Sequence, residues 1–159
     1  MKTNAEFIVN TEKQTVTYLQ NYKGEVISGV AHYNPADNTG FDVEFGKALA
    51  FMKCEEKIRY YECMSTENTR NFLKLAKSEF FNYTGNNIIS VNSRYLDNTV
   101  HDITEHLNTL RLYYKNQQKM VRYVAFNYDK LKAELGDKFN YRNIKRAAYN
   151  HVVEKKYEF

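Results

Sequence analysis

The chain has 159 residues and a mass of 18.8 kDa, enough for one hydrophobic core and too few for two large ones. Apolar residues make up 43% of it and charged residues 26%, which is typical of a globular protein and unlike a disordered chain. No stretch approaches the roughly 20 apolar residues of a membrane span, and 2 cysteines are too few for a disulfide framework. We therefore expect a single domain in a reducing cytoplasm, with no membrane segment.

The charge is unevenly distributed along the chain. Residues 1–110 contain 11 Lys and Arg against 14 Asp and Glu, whereas residues 111–159 contain 12 against 5, a net charge of +7. Tyrosines and phenylalanines lie between these cations, a mixture that suits phosphates, stacked bases or an acidic protein surface. A solvated basic face with aromatic rings packed beneath it explains the same pattern, so both interpretations stay open.

The amino-terminal residues are typical of a β-sheet. Two β-rich runs, at residues 15–20 and 26–33, are separated by turn residues at 21–25, and this pattern predicts a hairpin. A third strand is expected at residues 6–9. Asp42 is placed to cap a helix that extends to about Cys63.

Helical spacing dominates the remaining residues. A second helix is predicted at about 66–83, with a C-cap signal at 85–87 and a possible short strand at 88–91. Apolar residues then recur three and four apart from Val100 to Leu135, interrupted only by Gln117. This series predicts one long helix, or a pair broken within residues 115–119.

Residues at the two ends of this apolar series predict where the helix begins and where it ends. Residues 99–102 resemble a capping box, and Gly136 is expected to stop the helix. A last helix is predicted at about 141–156. The sequence therefore predicts an α+β fold, with a small antiparallel sheet covered by helices in residues 1–95 and a basic helical part in residues 96–159.

Catalytic motifs are missing from the sequence. There is no phosphate-binding glycine loop or dinucleotide fingerprint, and Cys54 and Cys63 lie on amphipathic helices, where buried inert thiols are expected. Two groups of polar residues are better explained by helix pairing and capping than by metal binding or acid–base chemistry. These groups are His101 with Glu105 and His106, and Asp37 with Asp42 and Glu44. We expect no enzymatic activity, no cofactor and no metal.

The candidate binding residues lie in the basic part. Two helices joined by a short turn around residues 136–140 resemble a helix-turn-helix, and the second carries cations on overlapping faces. The same cations suit structured RNA or an acidic protein, and no Asn or Gln accompanies them for base readout. We predict a partner-binding surface formed by Arg122, Tyr141, Arg142, Lys145, Arg146 and Tyr149.

One segment resembles known proteins. Residues 29–37, GVAHYNPAD, followed by residues 41–50, FDVEFGKALA, are similar to the strand, Asn-Pro-x-Asp loop and helix of many small phage and prophage proteins. The similarity covers about residues 26–52, and in those proteins Cys often occupies the position of His32 or Tyr33. In this segment Pro35 stiffens the turn and Gly46 allows the helix to approach the strand closely, so its role is structural.

With its small size and its richness in Lys, Asn and Tyr, the chain resembles phage-encoded anti-CRISPR inhibitors of type II RNA-guided nucleases. The resemblance implies a protein of the bacterial cytoplasm that binds the nuclease, with or without guide RNA, and blocks DNA cleavage. Many such inhibitors are acidic DNA mimics, whereas this basic surface suits an acidic face of the nuclease domain that cuts the target strand. Alternatives are a nucleic-acid-binding phage regulator and a ligand-sequestering phage protein.

The oligomeric state is left open between monomer and homodimer. The carboxy-terminal half of the apolar series could pair across a twofold axis or pack inside the chain, and we favour internal packing. The residues concerned are Val121, Val124, Tyr128, Leu131 and Leu135.

Overall fold

The computed structural model describes residues 5–33, 40–84 and 89–154, with side chains at 6–33, 40–76 and 96–154. Within these ranges it contains three strands followed by four α-helices, so the predicted α+β class is confirmed. The strands are β1 (Ala5–Asn10), β2 (Thr15–Tyr22) and β3 (Glu25–His32). The helices are α1 (Val43–Thr84), α2 (Ile89–Phe126), α3 (Tyr128–Leu135) and α4 (Tyr141–Val152).

The strands form an antiparallel sheet in the order β1-β2-β3, as expected. β2 and β3 are joined by a two-residue loop, Lys23 and Gly24, whose φ angles of 51° and 85° are those of the turn that best matches the strand twist. Val16 on β2 pairs with Val9 on one side and Ala31 on the other. The predicted hairpin and third strand are therefore both present.

Two glycines bring α1 close to the sheet. A Cβ at Gly46 would lie 2.7 Å from Cγ2 of Val16, and a Cβ at Gly29 would overlap the backbone carbonyl of Ala50. The close approach expected at Gly46 is confirmed, and Gly29 provides a second one. Side-chain donors also reach β3 from α1: the Lys53 and Lys57 ammonium groups donate to the carbonyls of Val30 and Ser28 at 3.3 and 2.6 Å.

The chain divides into two compact units, one of residues 1–58 and 115–159 and the other of residues 59–114. These units do not correspond to the two parts predicted from the sequence, residues 1–95 and 96–159, because α1 and α2 each contribute residues to both units. In the first unit one cluster fills the space between sheet and α1, and a second joins α1 to the carboxy-terminal helices. The fully buried members of the second cluster include Met52, Val124, Leu131 and Ile144.

The unit of residues 59–114 contains parts of α1 and α2 that pack side by side. Cys63 on α1 lies in a small apolar cluster with Leu107 and Leu110 on α2. Glu67 is 3.4 Å from Arg111 across the same pair of helices. Buried apolar contact and one partly exposed ion pair thus hold the two helices together.

Three helix boundaries differ from the prediction. α1 continues through Ser65 and Thr66, where we expected a break, and the hydroxyl of Thr69 donates to the Ser65 carbonyl at 3.0 Å. α2 begins at Ile89, so the capping signal at Thr99 lies inside a helix, and residues 89–91 of the strand proposed at 88–91 are helical. The C-cap signal at residues 85–87 lies outside the described residues.

α2 runs through residues 115–119 and ends instead at Phe126. Gln117 lies within the helix, and its buried side-chain amide donates to the Met52 carbonyl at 3.1 Å, which satisfies the polar group inside the core. The break follows at Asn127, whose side chain donates to the Tyr123 carbonyl at 2.7 Å and satisfies one of the free carbonyls at the end of α2. Gly136, with φ of 51°, ends α3 as expected.

Candidate partner-binding surfaces

α4 is fixed on the first unit by its cap and its apolar face. The Asn140 side chain accepts a hydrogen bond from the Asn143 amide at 2.9 Å. Ile144 and Ala148 are fully buried against the core, which leaves the opposite face in solvent. The cap and these two buried residues therefore fix which face of α4 is exposed.

The outward face of α4 carries Arg142, Arg146 and Tyr149, spaced four and three residues apart. All three are exposed, and Tyr149 retains 49% of its accessible surface. No Asp or Glu occurs between residues 141 and 152, so α4 itself contributes no carboxylate to this surface. We call these three residues the α4 stripe.

Tyr141 contacts both the sheet and the first residue of the α4 stripe. Its ring contacts Phe7 edge-on with a centroid distance of 5.1 Å, and its hydroxyl accepts a hydrogen bond from Nε of Arg142 at 3.2 Å. The Lys47 ammonium lies 5.9 Å from the same ring. Tyr141 is therefore half-buried and is hydrogen-bonded to Arg142, and its contact with a partner stays a prediction.

Lys145 turns away from the stripe. Its ammonium lies 3.4 Å from the centroid of the Phe51 ring, a cation–π contact inside the aromatic cluster above the sheet. Burial lowers the pKa of the Lys145 ammonium, and the negative charge of the nearby Glu55 carboxylate only partly opposes this effect. Of the three cations that the sequence places on overlapping faces of α4, Lys145 is therefore half-buried, whereas Arg142 and Arg146 are exposed.

Arg122 belongs to a separate surface on α2. The Tyr123 and His151 rings stack at 4.0 Å, which shows the side of α4 that meets α2. Arg142 lies nine residues before His151, about half a turn around the α4 axis, so the α4 stripe faces away from α2. Arg122 thus lies on α2, while the other predicted contact residues lie on α4, whose stripe faces away from α2.

On α2, Arg122 continues a row of exposed side chains whose other members were not among the predicted contact residues. Lys115, Lys119, Arg122 and Phe126 are spaced four, three and four residues apart, and Phe126 is 85% exposed. No Asp or Glu occurs between residues 106 and 128, a signal that was readable from the sequence. We call these four residues the α2 row.

The side chains considered for catalysis or metal binding make contacts that are typical of structural residues. His101 and Glu105 form an exposed pair at 3.2 Å, and no group of three or more His, Cys, Asp or Glu within the described ranges is arranged to hold a metal ion. Burial raises the pKa of the Cys54 thiol to about 11, and burial also raises that of Cys63. Asp42 caps α1 as expected, since it accepts the Phe45 amide at 3.2 Å.

Neither a family model nor any curated protein or solved structure matches this chain. Among the residues that are described, no helix combines the length and the apolar character needed to cross a bilayer.

Proposed function

We propose that the protein is a non-catalytic inhibitor of bacterial defence that binds a type II RNA-guided nuclease and prevents DNA cleavage. The observation that carries this proposal is the α4 stripe, in which Arg142, Arg146 and Tyr149 are exposed on a helix that is buried along its other side. Arg and Tyr are the residues most enriched among those that dominate protein–protein binding energies. The choice of target comes from the resemblance to anti-CRISPR proteins.

The charge of the stripe favours an acidic face of the nuclease as its partner. Two guanidinium groups without a carboxylate on the same helix would be repelled by the basic channel that holds the guide–target heteroduplex. A partner face on the mobile domain that cuts the target strand would stop cleavage by preventing domain docking. DNA binding by the nuclease would continue, because docking is a separate step. This activity would take place in the bacterial cytoplasm.

A second candidate function is nucleic-acid binding through the α2 row. Lys115, Lys119 and Arg122 form a charged line with no carboxylate nearby in the sequence, and Phe126 adds an exposed ring suited to stacking. This arrangement fits a regulator that binds DNA or RNA. It also fits contact with the guide RNA in the nuclease complex.

The test is capture of a type II nuclease, loaded with guide RNA, by the tagged full-length protein at high salt after nuclease treatment. Cleavage and DNA binding are then measured on the recovered complex. Two triple variants are compared with the native chain: Arg142→Ala with Arg146→Ala and Tyr149→Ala, and Lys115→Ala with Lys119→Ala and Arg122→Ala. All replaced side chains are exposed, so both variants should keep the native circular dichroism spectrum.

We expect the native chain and the α2-row variant to retain the nuclease and block cleavage, and the α4-stripe variant to lose both effects. Loss confined to the α2-row variant, together with binding of naked DNA or RNA that weakens steeply with salt, would replace the inhibitor by the regulator. No capture by the native chain would refute the inhibitor proposal for the nuclease tested.

A further inference from the structure

A row of exposed apolar side chains runs along α1 in the unit of residues 59–114. Tyr61, Met64, Phe72 and Leu75 are 44%, 42%, 68% and 58% exposed. With Asn68 at the centre they are spaced three, four, four and three residues apart, so all five lie on one side of the helix. We call these five residues the α1 stripe.

The α1 stripe lies opposite the side of α1 that packs on α2. Cys63, which is buried against Leu107 and Leu110, is five residues from Asn68, about 140° around the helix axis. Arg70, whose side chain is 15% exposed, lies about 160° from Asn68. The apolar side chains of the stripe are therefore not part of the contact that holds the two helices together.

The α1 stripe is uncharged. Four charged residues occur between its ends, and each lies at least about 100° around the helix from Asn68. They are Glu62, Glu67, Arg70 and Lys74. Two of them pair away from the stripe, since Glu67 lies 3.7 Å from Arg70 and 3.4 Å from Arg111. Electrostatic attraction therefore contributes little to the affinity of any partner for this surface. Two identical copies can pair through it without repulsion between like charges.

The spacing of the stripe is symmetric about Asn68. When two copies of α1 run antiparallel with a twofold axis at Asn68, Tyr61 of one copy lies opposite Leu75 of the other, and Met64 lies opposite Phe72. Each apolar side chain then meets another apolar side chain, which is the self-complementarity that a twofold interface needs. Asn68 faces its own counterpart, and a single Asn in such a seam fixes register and partner number.

We propose that the α1 stripe is the interface of a homodimer in which two α1 helices pair antiparallel about Asn68. This interface is distinct from the one considered from the sequence, because Val124 and Leu131 are fully buried inside the first unit. It is also independent of the α4 stripe, which belongs to the first unit. The protein would thus present two α4 stripes per dimer.

The first experiment measures the mass of the full-length chain by sedimentation equilibrium at about 1 to 100 µM, a range that covers moderate dimer affinities. We expect a mass approaching twice 18.8 kDa for the native chain. Phe72→Glu places one charge from each copy in the apolar seam and should raise the dissociation constant about 100-fold or more. Phe126→Glu, the same substitution at an exposed phenylalanine outside the stripe, serves as the control and should dimerise like the native chain.

Cross-linking tests the geometry without relying on a destabilising change. Asn68→Cys lies on the proposed axis and should form a disulfide-linked dimer on mild oxidation, whereas Asn108→Cys on α2 should not. In a mixture, Tyr61→Cys should cross-link to Leu75→Cys and neither should cross-link to itself. A monomeric native chain, unchanged dimerisation of Phe72→Glu, or efficient self-linking of Tyr61→Cys would each overturn the proposal. A mass shift seen only when the nuclease is added would assign the stripe to that protein instead.

Discussion

The Lys132 ammonium on α3 lies 3.0 Å from Oδ2 of Asp42, the residue immediately before α1. The Tyr128 hydroxyl donates to the same oxygen at 2.9 Å, and Oδ1 accepts the Phe45 amide at 3.2 Å. Burial raises the pKa of the Asp42 carboxyl, but the hydrogen bonds from these three donors outweigh it, and the pKa lies below its usual 3.8. One carboxylate therefore caps α1 and holds α3 at its first turn.

Asp42→Asn should reduce stability at neutral pH by about 1 to 2 kcal/mol and weaken the dependence of stability on acid. Because the pKa of Asp42 is lower in the folded chain than in the unfolded one, its contribution is fully present above 3.8 and is lost as pH falls through the lower folded value. Urea unfolding of native and variant chains from about pH 7 down to pH 2 measures this difference.

The control for this prediction is Asp129→Asn, which changes an exposed carboxylate on α3. Because Asp129 lies in the first turn of α3, its contact with the helix dipole should make this variant lose at most about 1 kcal/mol, less than Asp42→Asn loses. If the curves of the native chain and Asp42→Asn stay parallel in acid, the Asp42 carboxylate does not stabilise the join between α1 and α3.

Gly29→Ala should destabilise the chain by more than about 3 kcal/mol, because the added Cβ would overlap the Ala50 backbone and force the sheet away from α1. Gly46→Ala should cost less, since its neighbour is a side-chain methyl of Val16 at 2.7 Å. Gly24→Ala meets no atom within 4 Å and should cost only about 1 kcal/mol from its φ of 85°. Chemical unfolding of the three variants checks this order, and equal losses would contradict the close approach at Gly29.

The amino-terminal half of the fold was predictable because its signals are local. Alternating β-formers around the turn at Lys23 and Gly24 specify the hairpin, and Asp42 specifies the start of α1. The helix ends were predicted less well, because Ser65 and Thr66 are suited both to a cap and to a helix interior. Packing of Cys63 on Leu107 and Leu110, a contact between residues distant in sequence, favours the continuous helix.

The candidate site was predictable in part for the same reason. Residue type and spacing predicted a last helix that carries cations on overlapping faces, and Arg142 and Arg146 of that helix are exposed. They did not predict that Lys145 packs on Phe51. The conformation of a long side chain depends on the surfaces of neighbouring elements that it can pack against. The side of α4 that meets α2 depends on how the two helices pack, as in the stacking of Tyr123 on His151, which no local pattern encodes.

Gln117→Ala should destabilise the chain by about 1 to 3 kcal/mol. The Gln117 side chain is 6% exposed and donates its amide to the Met52 carbonyl, so truncation removes a buried hydrogen bond and leaves a cavity. Gln117→Leu fills the same space without a polar group and should be close to the native stability. Thermal unfolding compares the two variants, and a loss for Leu as large as that for Ala would show that the hydrogen bond, not the volume, dominates at this position.

Substitutions at Lys145 distinguish effects on stability from effects on partner binding. Lys145→Ala should destabilise the chain by about 1 to 2 kcal/mol, because the aliphatic stem no longer packs on Phe51. Lys145→Met keeps that packing and removes a cation whose burial is unfavourable, so it should be at least as stable as the native chain at neutral pH. Arg146→Ala, at an exposed position, should stay within about 0.5 kcal/mol.

The pH dependence follows from the lowered pKa of Lys145. Between its folded value and its usual 10.5, the unfolded chain binds more protons at this site than the folded chain, so native stability gains from this lysine as pH rises. Lys145→Met should lack that gain in urea unfolding. Because Lys145 lies beneath the α4 stripe and not on it, Lys145→Met should retain partner binding that Arg146→Ala weakens. Equal loss of binding in both variants would place the Lys145 ammonium in the interface after all.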